Sequence, residues 1–264
     1  MGMDDPLIDI HRLVYRVAAD LAAFAGASPV GPGELAQARD ALLRLAQKLD
    51  RHRAAYVAEQ LGRLHLPRDA RDLQICLTGR APAPWLNVGL PPADLAINLA
   101  WGIPLPEASA RYVYFALALE HFFYRADAQA ILAEVRRVLR AGGVLRVVVP
   151  DIEKYVRAYV AGDREFFDRH RQFWAWAHLL RTPMEHLQLM SGSGQGRGPS
   201  DFFAHKNGYD YETLSLLLRD AGFTSVARSE YLHSEHEGLA IDGVSHDAGF
   251  GSGGQNFNLF VEAC

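Results

Sequence analysis

Cysteine is nearly absent, with Cys76 and Cys264 the only two in 264 residues. That excludes a disulfide framework and a four-thiolate metal site, and makes a reducing cytoplasm the expected home. Lysine is almost as scarce: of 27 basic residues only Lys48, Lys154 and Lys206 are lysines. With a formal charge of −4 there is no sign of the basic face that nucleic acid selects, so no nucleic-acid partner is expected. No apolar run approaches the roughly 20 residues of a membrane helix. The opening MGMDDPLIDIHR is acidic where a secretory leader is basic, so no membrane partner is expected either. What remains is 49% hydrophobic and 22% charged, ordinary for a globular chain, and long enough for one α/β domain with a helical extension.

Residues 131–151, ILAEVRRVLRAGGVLRVVVPD, are the most informative stretch. Ile131, Leu132, Val135, Val138 and Leu139 form a one-sided helical stripe, with Glu134, Arg136, Arg137 and Arg140 left for water. Gly142-Gly143 should close this helix, because glycine tolerates the left-handed conformation. Residues 144–149 are β-branched and almost continuously apolar, the pattern of a strand covered on both faces. Pro150 ends the strand and Asp151 can cap the next helix. A helix, a glycine turn and a buried strand make half of an α/β unit, in which ligands sit beyond the carboxyl end of the strand.

Asp5-Pro6 starts a helix whose apolar residues Leu7, Ile10, Val14, Val17, Leu21 and Phe24 share one face. After residues 28–33, SPVGPG, a second helix repeats the rhythm through Leu35, Leu42, Leu45 and Leu49. The pair predicts an αα-hairpin over residues 1–68, ahead of an α/β domain over 69–264, and a homodimer through these helices is expected. Strands are expected at 73–77, 85–90, 93–99 and 112–119, and an antiparallel pair at about 225–232 and 257–262. Residues 152–208 read as a helical and loop insertion over the pocket. Its rings Phe166, Phe167, Phe173, Trp174 and Trp176 suit core packing better than a substrate platform. The segment 191–199, SGSGQGRGP, reads as a mobile loop. The long polar connection after residue 232 reads as functional or disordered.

The segment from Arg137 to Arg146 followed by Val149-Pro150-Asp151 resembles a signature of class I S-adenosylmethionine-dependent methyltransferases, in a subgroup found with glycan and natural-product pathways. Trp85-Leu86-Asn87-Val88, Pro104-Leu105-Pro106, Leu119-Glu120-His121, the run from Tyr209 to Leu214, and Ala221-Gly222-Phe223 add to the likeness, in family order from about residue 73 onward. The resemblance implies a doubly wound, mostly parallel, seven-stranded Rossmann-like sheet behind the N-terminal helical hairpin. It implies S-adenosylmethionine as cofactor; no metal is expected.

The resemblance places Cys76, Thr78, Gly79, Gly89 and Asn98 at the cofactor. Cys76 and Thr78 stand where relatives have glycines, Gly89 where they have the ribose-binding carboxylate, Asn98 at another position usually acidic, and Arg111 near a usual aspartate. Asp94 could reach in to replace the carboxylate. On the acceptor side His121 is the expected general base, oriented by Glu120, with His205 as a further catalytic candidate. Asp151, Tyr209 and His233 are expected at the substrate, Asp151 serving first as a helix cap. His233, His236 and His246 with Glu235 and Asp247 could gather a metal, but lack the spacing of a metal motif, and a solvated loop is the simpler reading. Two functions follow. One is methyl transfer to a hydroxyl or amine of a sugar or small natural product. The other is the same fold without cofactor, as a binding or partner protein or an enzyme of another reaction.

Overall fold

The protein is described from a computed structural model covering residues 10–24, 31–66, 71–77, 80–173, 180–192, 204–244 and 256–264. Seven strands form one sheet in the order β3-β2-β1-β4-β5-β7-β6. They are β1 (Leu73–Leu77), β2 (Trp85–Gly89), β3 (Leu95–Ala96), β4 (Ala110–Ala116), β5 (Leu139–Pro150), β6 (Val226–Ser229) and β7 (Asn258–Ala263). β1 pairs in parallel with β2 and β4, and β4 with β5, while β7 runs antiparallel between β5 and β6. The mostly parallel α/β sheet expected from the sequence is therefore present, closed by the expected antiparallel pair. Strand order reverses between β1 and β4, and such a reversal opens a crevice beyond the carboxyl ends of the strands.

Several boundaries differ from the sequence reading for local reasons. β3 has two residues where seven were expected, and the chain then turns through a 3-10 segment, Leu99–Trp101. β4 stops at Ala116 because Leu117 adopts a left-handed φ of 52°, which breaks the extended run. α3 (Gln129–Val138) ends before the glycines, and Leu139 is already extended. Leu139 pairs with Ala110 while Val144 pairs with Tyr112, so the residues between them bulge out of the ladder. The two glycines serve that bulge. Gly142 has φ 71°, and a Cβ on Gly143 would stand 3.1 Å from the Ala110 carbonyl oxygen.

Side-chain alternation divides the sheet residues between two faces. Cys76, Trp85, Tyr112, Tyr114, Val144, Val148 and Phe260 share one cluster, covered by Leu239 with Tyr231 and Ile241. The connection after β6 thus closes that face. Alternate positions such as Ile75, Val113, Phe115, Leu145 and Val147 are equally buried. They face the side of the helices α3 and α7 (Tyr211–Asp220), which touch β5 and β7. Asp210 caps α7 as expected, accepting from the Thr213 amide at 2.8 Å.

Past β5 come α4 (Ile152–Ala161), α5 (Arg164–Phe173) and α6 (Pro183–Ser191). Phe166 and Phe167 pack with Tyr155, Ala158, Met190 and Phe257, core packing as the sequence reading held. The side chain of Phe173, with Trp174, Trp176 and residues 193–199 of the segment expected to be a mobile loop, lies outside the described residues.

The chain divides into two compact units, Met1–Leu66 with Leu95–Asn98, and Pro67–Asp94 with Leu99–Cys264. In the first, α1 (Ile10–Phe24) pairs with α2 (Pro32–Arg63), burying Val14, Ala18 and Ala46. The Tyr15 hydroxyl donates to Asp50 across the pair at 2.9 Å. Among the described residues no helix is long and apolar enough to cross a membrane.

Candidate functional site

The end of β4 leads into a 3-10 turn, Leu119–His121, that carries Glu120 and His121 past the carboxyl edge of the sheet. The segment 204–209 is bound to this turn. The amides of Lys206 and Asn207 donate to the Glu120 carbonyl at 2.6 and 3.2 Å, and Asn207 Nδ2 donates to the Phe122 carbonyl. His205 is thereby placed against His121, with ring centroids 4.8 Å apart and edge to face. Glu120, His121 and His205 each present an atom that could bind an ion, all within 4.8 Å of one another. The three residues expected to be catalytic are therefore neighbours, although 84 positions separate His121 from His205 in the sequence.

Two glycines let 204–209 lie so close. A Cβ on Gly192, which has φ 92°, would stand 2.5 Å from the Lys206 carbonyl carbon and 2.6 Å from the Asn207 nitrogen. A Cβ on Gly208 would meet Ile152 at 2.5 Å. Gly192→Ala should therefore cost about 2 to 4 kcal/mol, from the backbone clash and the left-handed φ together. Urea denaturation measures that loss, and unchanged stability would show that 204–209 can retreat freely.

Electrostatics at the turn are governed by burial. Glu120 is 2% exposed, and its Oε2 has no hydrogen-bond partner among the described residues. Burial pushes its carboxyl up to about 8, so at neutral pH the group is mostly protonated. His205 Nδ1 lies 3.4 Å from the Met190 carbonyl oxygen. Burial lowers His205 to about 4, with the Met190 carbonyl opposing the shift, so its imidazole is neutral at pH 7. A proton on Nδ1, assigned from that contact, leaves Nε2 as an acceptor.

Tyr209 ends the segment 204–209, and Asp151, the residue after β5, lies beside it. They form a parallel bridge, and the Ile152 amide donates to the Tyr209 carbonyl at 2.9 Å. Burial first, and then the Glu120 charge, raise the Tyr209 phenol. Asp151 occupies the N-cap position of α4 but makes no capping bond. Its carboxyl is instead turned inward, with Oδ1 unpartnered among the described residues and Oδ2 3.8 Å from Lys154 Nζ. Burial raises its pKa against the pull of Lys154.

At the β1–β2 end, Cys76 is fully buried in the cluster that holds Trp85 and Tyr114. Thr78 and Gly79 lie outside the described residues. Gly89 ends β2 with φ 144°. Asn98 is buried, two residues past β3 in the first unit. Beyond β2 stands Asp94, whose Oδ2 accepts from the Asn87 amide at 2.8 Å and from Asn87 Nδ2 at 3.1 Å. Asn87 also exchanges bonds with the Ala81 backbone. Asp94 is exposed, and neither bond uses its Oδ1. A carboxylate in this position suits a ribose diol and fits S-adenosylmethionine.

His233 is elsewhere. It borders a cavity of about 490 Å³ beside Val144, Ser229, Glu235, His236 and Glu262. Its carbonyl accepts from Arg146 Nη1 at 3.0 Å. His246 and Asp247 lie outside the described residues. Two features had no place in the sequence reading. One is the buried contact between His170 and His186, with Nδ1 atoms 2.8 Å apart. The other is Arg146, fully buried inside β5. An arginine within an otherwise apolar strand was the available signal for the second.

Residues 90–147 match the profile of a methyltransferase domain family. No curated protein matches the chain. Among solved structures, a methyltransferase from Thermotoga maritima is 16% identical, over 83% of this chain and 96% of that one, with a TM-score of 0.38. One from Archaeoglobus fulgidus is 12% identical over 79% and 91%, with a TM-score of 0.38. One from Mesorhizobium loti is 13% identical over 80% and 96%, with a TM-score of 0.37. The family match is confined to residues 90–147, and the strand order 3-2-1-4-5-7-6 is that of the class I methyltransferase fold.

Proposed function

We propose that the protein transfers a methyl group from S-adenosylmethionine to a hydroxyl or amine of a small molecule, a sugar or natural product, seated beyond the carboxyl ends of β4 and β5. The observation that carries this reading is the grouping of Glu120, His121 and His205 on the β4 side of the strand-order reversal, where an acceptor would meet the cofactor. When bound, S-adenosylmethionine supplies a sulfonium-activated methyl group. Asp94 would hold the ribose through the carboxylate oxygen that Asn87 leaves open. His121 and His205 face the acceptor's polar group, and the neutral His205 imidazole can receive its proton. Tyr209 and Asp151 line the same end and orient the acceptor.

Cys76 favours the second reading, a fold kept for binding or for another reaction, because a packed side chain stands where relatives have a glycine. Calorimetric titration with S-adenosylmethionine and S-adenosylhomocysteine separates the two. Methyl transfer expects binding in the micromolar range, weakened about tenfold or more in Asp94→Ala by loss of charge-assisted hydrogen bonds. Absence of heat with either nucleoside would leave the second reading standing.

A further inference from the structure

We propose that Glu120, His121 and His205 bind a divalent transition-metal ion, of which zinc is the first to test. This departs from the sequence expectation of no metal, which rested on residues around His233. Two imidazoles and a carboxylate are a ligand set that holds zinc while leaving a position open for an exogenous oxygen. The ligand atoms lie within 4.8 Å of one another. Around a zinc ion with bonds of about 2.0 to 2.2 Å, ligand atoms stand roughly 3.4 Å apart. Side-chain rotations that draw the most separated atoms together by about 1.4 Å would complete the set.

Three further observations point the same way. Glu120 is 2% exposed with Oε2 unpartnered among the described residues, and a buried carboxyl oxygen without a partner is costly. A cation between the two histidines supplies that partner. His205 turns Nδ1 toward the Met190 carbonyl, the outer hydrogen bond typical of a ligating histidine, and so leaves Nε2 for the ion. The backbone is fixed before any ion arrives, because Lys206 and Asn207 bind the Glu120 carbonyl and Asn207 Nδ2 binds that of Phe122. Lys206, the nearest cation in sequence, directs its ammonium to the Ala204 carbonyl at 2.9 Å. Imidazole favours zinc, cobalt and related ions over magnesium and calcium, which prefer oxygen. With Nε2 of His205 on the ion, the open position would receive an oxygen or nitrogen of the acceptor, and the ion, by acidifying that group, would replace His205 as the means of removing its proton.

The test uses chelator-treated full-length protein without S-adenosylmethionine, so its outcome is independent of the methyl-transfer reading. Zinc chloride is titrated in competition with a chromophoric chelator. One tight site per chain is expected, and His121→Ala, His205→Ala and Glu120→Gln should each weaken it by on the order of a hundredfold, while His233→Ala and His236→Ala leave it unchanged. Circular dichroism checks that the variants fold. Should they not, X-ray absorption at the zinc edge of the unmodified protein decides, since the proposal requires a first shell with two imidazoles and an oxygen. No tight site, binding that survives both histidine variants, or a sulfur-containing shell would overturn it.

Discussion

Arg146→Met should destabilise the protein by about 3 to 5 kcal/mol, because it leaves the buried Asp242 carboxylate and the partly buried Glu262 without their counter-ion. The guanidinium is fully buried in β5 and spends all its donors. Nε and Nη2 grip both oxygens of Asp242 at 2.8 and 2.6 Å. Nη1 reaches Glu262 at 2.7 Å, Ser229 Oγ at 2.9 Å and the His233 carbonyl at 3.0 Å, and Nη2 also reaches the Glu230 carbonyl at 2.7 Å. Asp242 is itself buried and accepts from the Leu232 amide at 2.7 Å. Arg146 thus ties β5 to β7 and to the connection after β6, whose Leu239 covers Tyr112 and Tyr114. Urea denaturation measures the cost, and hydrogen exchange should show residues 230–244 losing protection. Adding Asp242→Leu to Arg146→Met should recover part of the loss, since a buried pair replaced by apolar groups is often neutral while a broken one is not. A stability change under about 1 kcal/mol for Arg146→Met would mean that water reaches these carboxylates freely.

The same arginine shows what a sequence displays and what it hides. Periodicity of 3.6 placed α3 and α7 closely, because each buries one continuous face, while β1 was marked by a short apolar run that is buried on both faces. It failed where the partner strand decides. Leu139 looks helical in its own stripe but is drawn into the ladder by Ala110, and β4 is cut short by the backbone of Leu117. Glu120-His121 was legible because it follows a strand of the parallel sheet directly. That His205 would join it rests on Gly192 and Gly208 admitting 204–209 against the turn, a contact with no periodic signature. The polar connection after β6 read as functional or disordered, and for residues 233–244 that was a matter of missing partners. Asp242 looks solvent-bound until Arg146, nearly a hundred positions earlier, is known to be inside the sheet. The cofactor end was read from the family resemblance, and Asn87 holding Asp94 bears on one detail of it, the carboxylate near β2.

Acidification from pH 7.5 to 5 should remove about 4 kcal/mol of stability through His170 and His186 alone. Both rings are buried and meet at 2.8 Å between Nδ1 atoms, so one must donate and the other accept, which requires both to be neutral or a single proton to be shared. Burial first, and then the charges of His186 and His205, hold His170 down at about 3. Burial first, and then Arg171, hold His186 at about 4, with Glu185 and the Leu180 carbonyl opposing. The unfolded chain takes up these two protons near pH 6.5, while the folded chain refuses them until below pH 4. Stability is therefore complete above about pH 7, falls as pH drops through 6.5, and goes on falling toward the folded values. At pH 5 each histidine contributes a loss of about 2 kcal/mol, a large share of the net stability of a typical domain. The aromatic surroundings argue that the rings cannot swing out to water: Tyr155 and Phe257 stand edge to face with His170, and Phe167 packs on His186. α6 is fixed in turn by the reciprocal cap between Thr182 and Glu185. Replacing both rings by apolar groups, His170→Phe with His186→Leu, removes the proton uptake on unfolding and should flatten the pH 5 to 7.5 profile by about the same 4 kcal/mol, read by urea denaturation across that range. A double variant as acid-sensitive as the parent would show that the pair is already protonated, or open to water, in the folded protein.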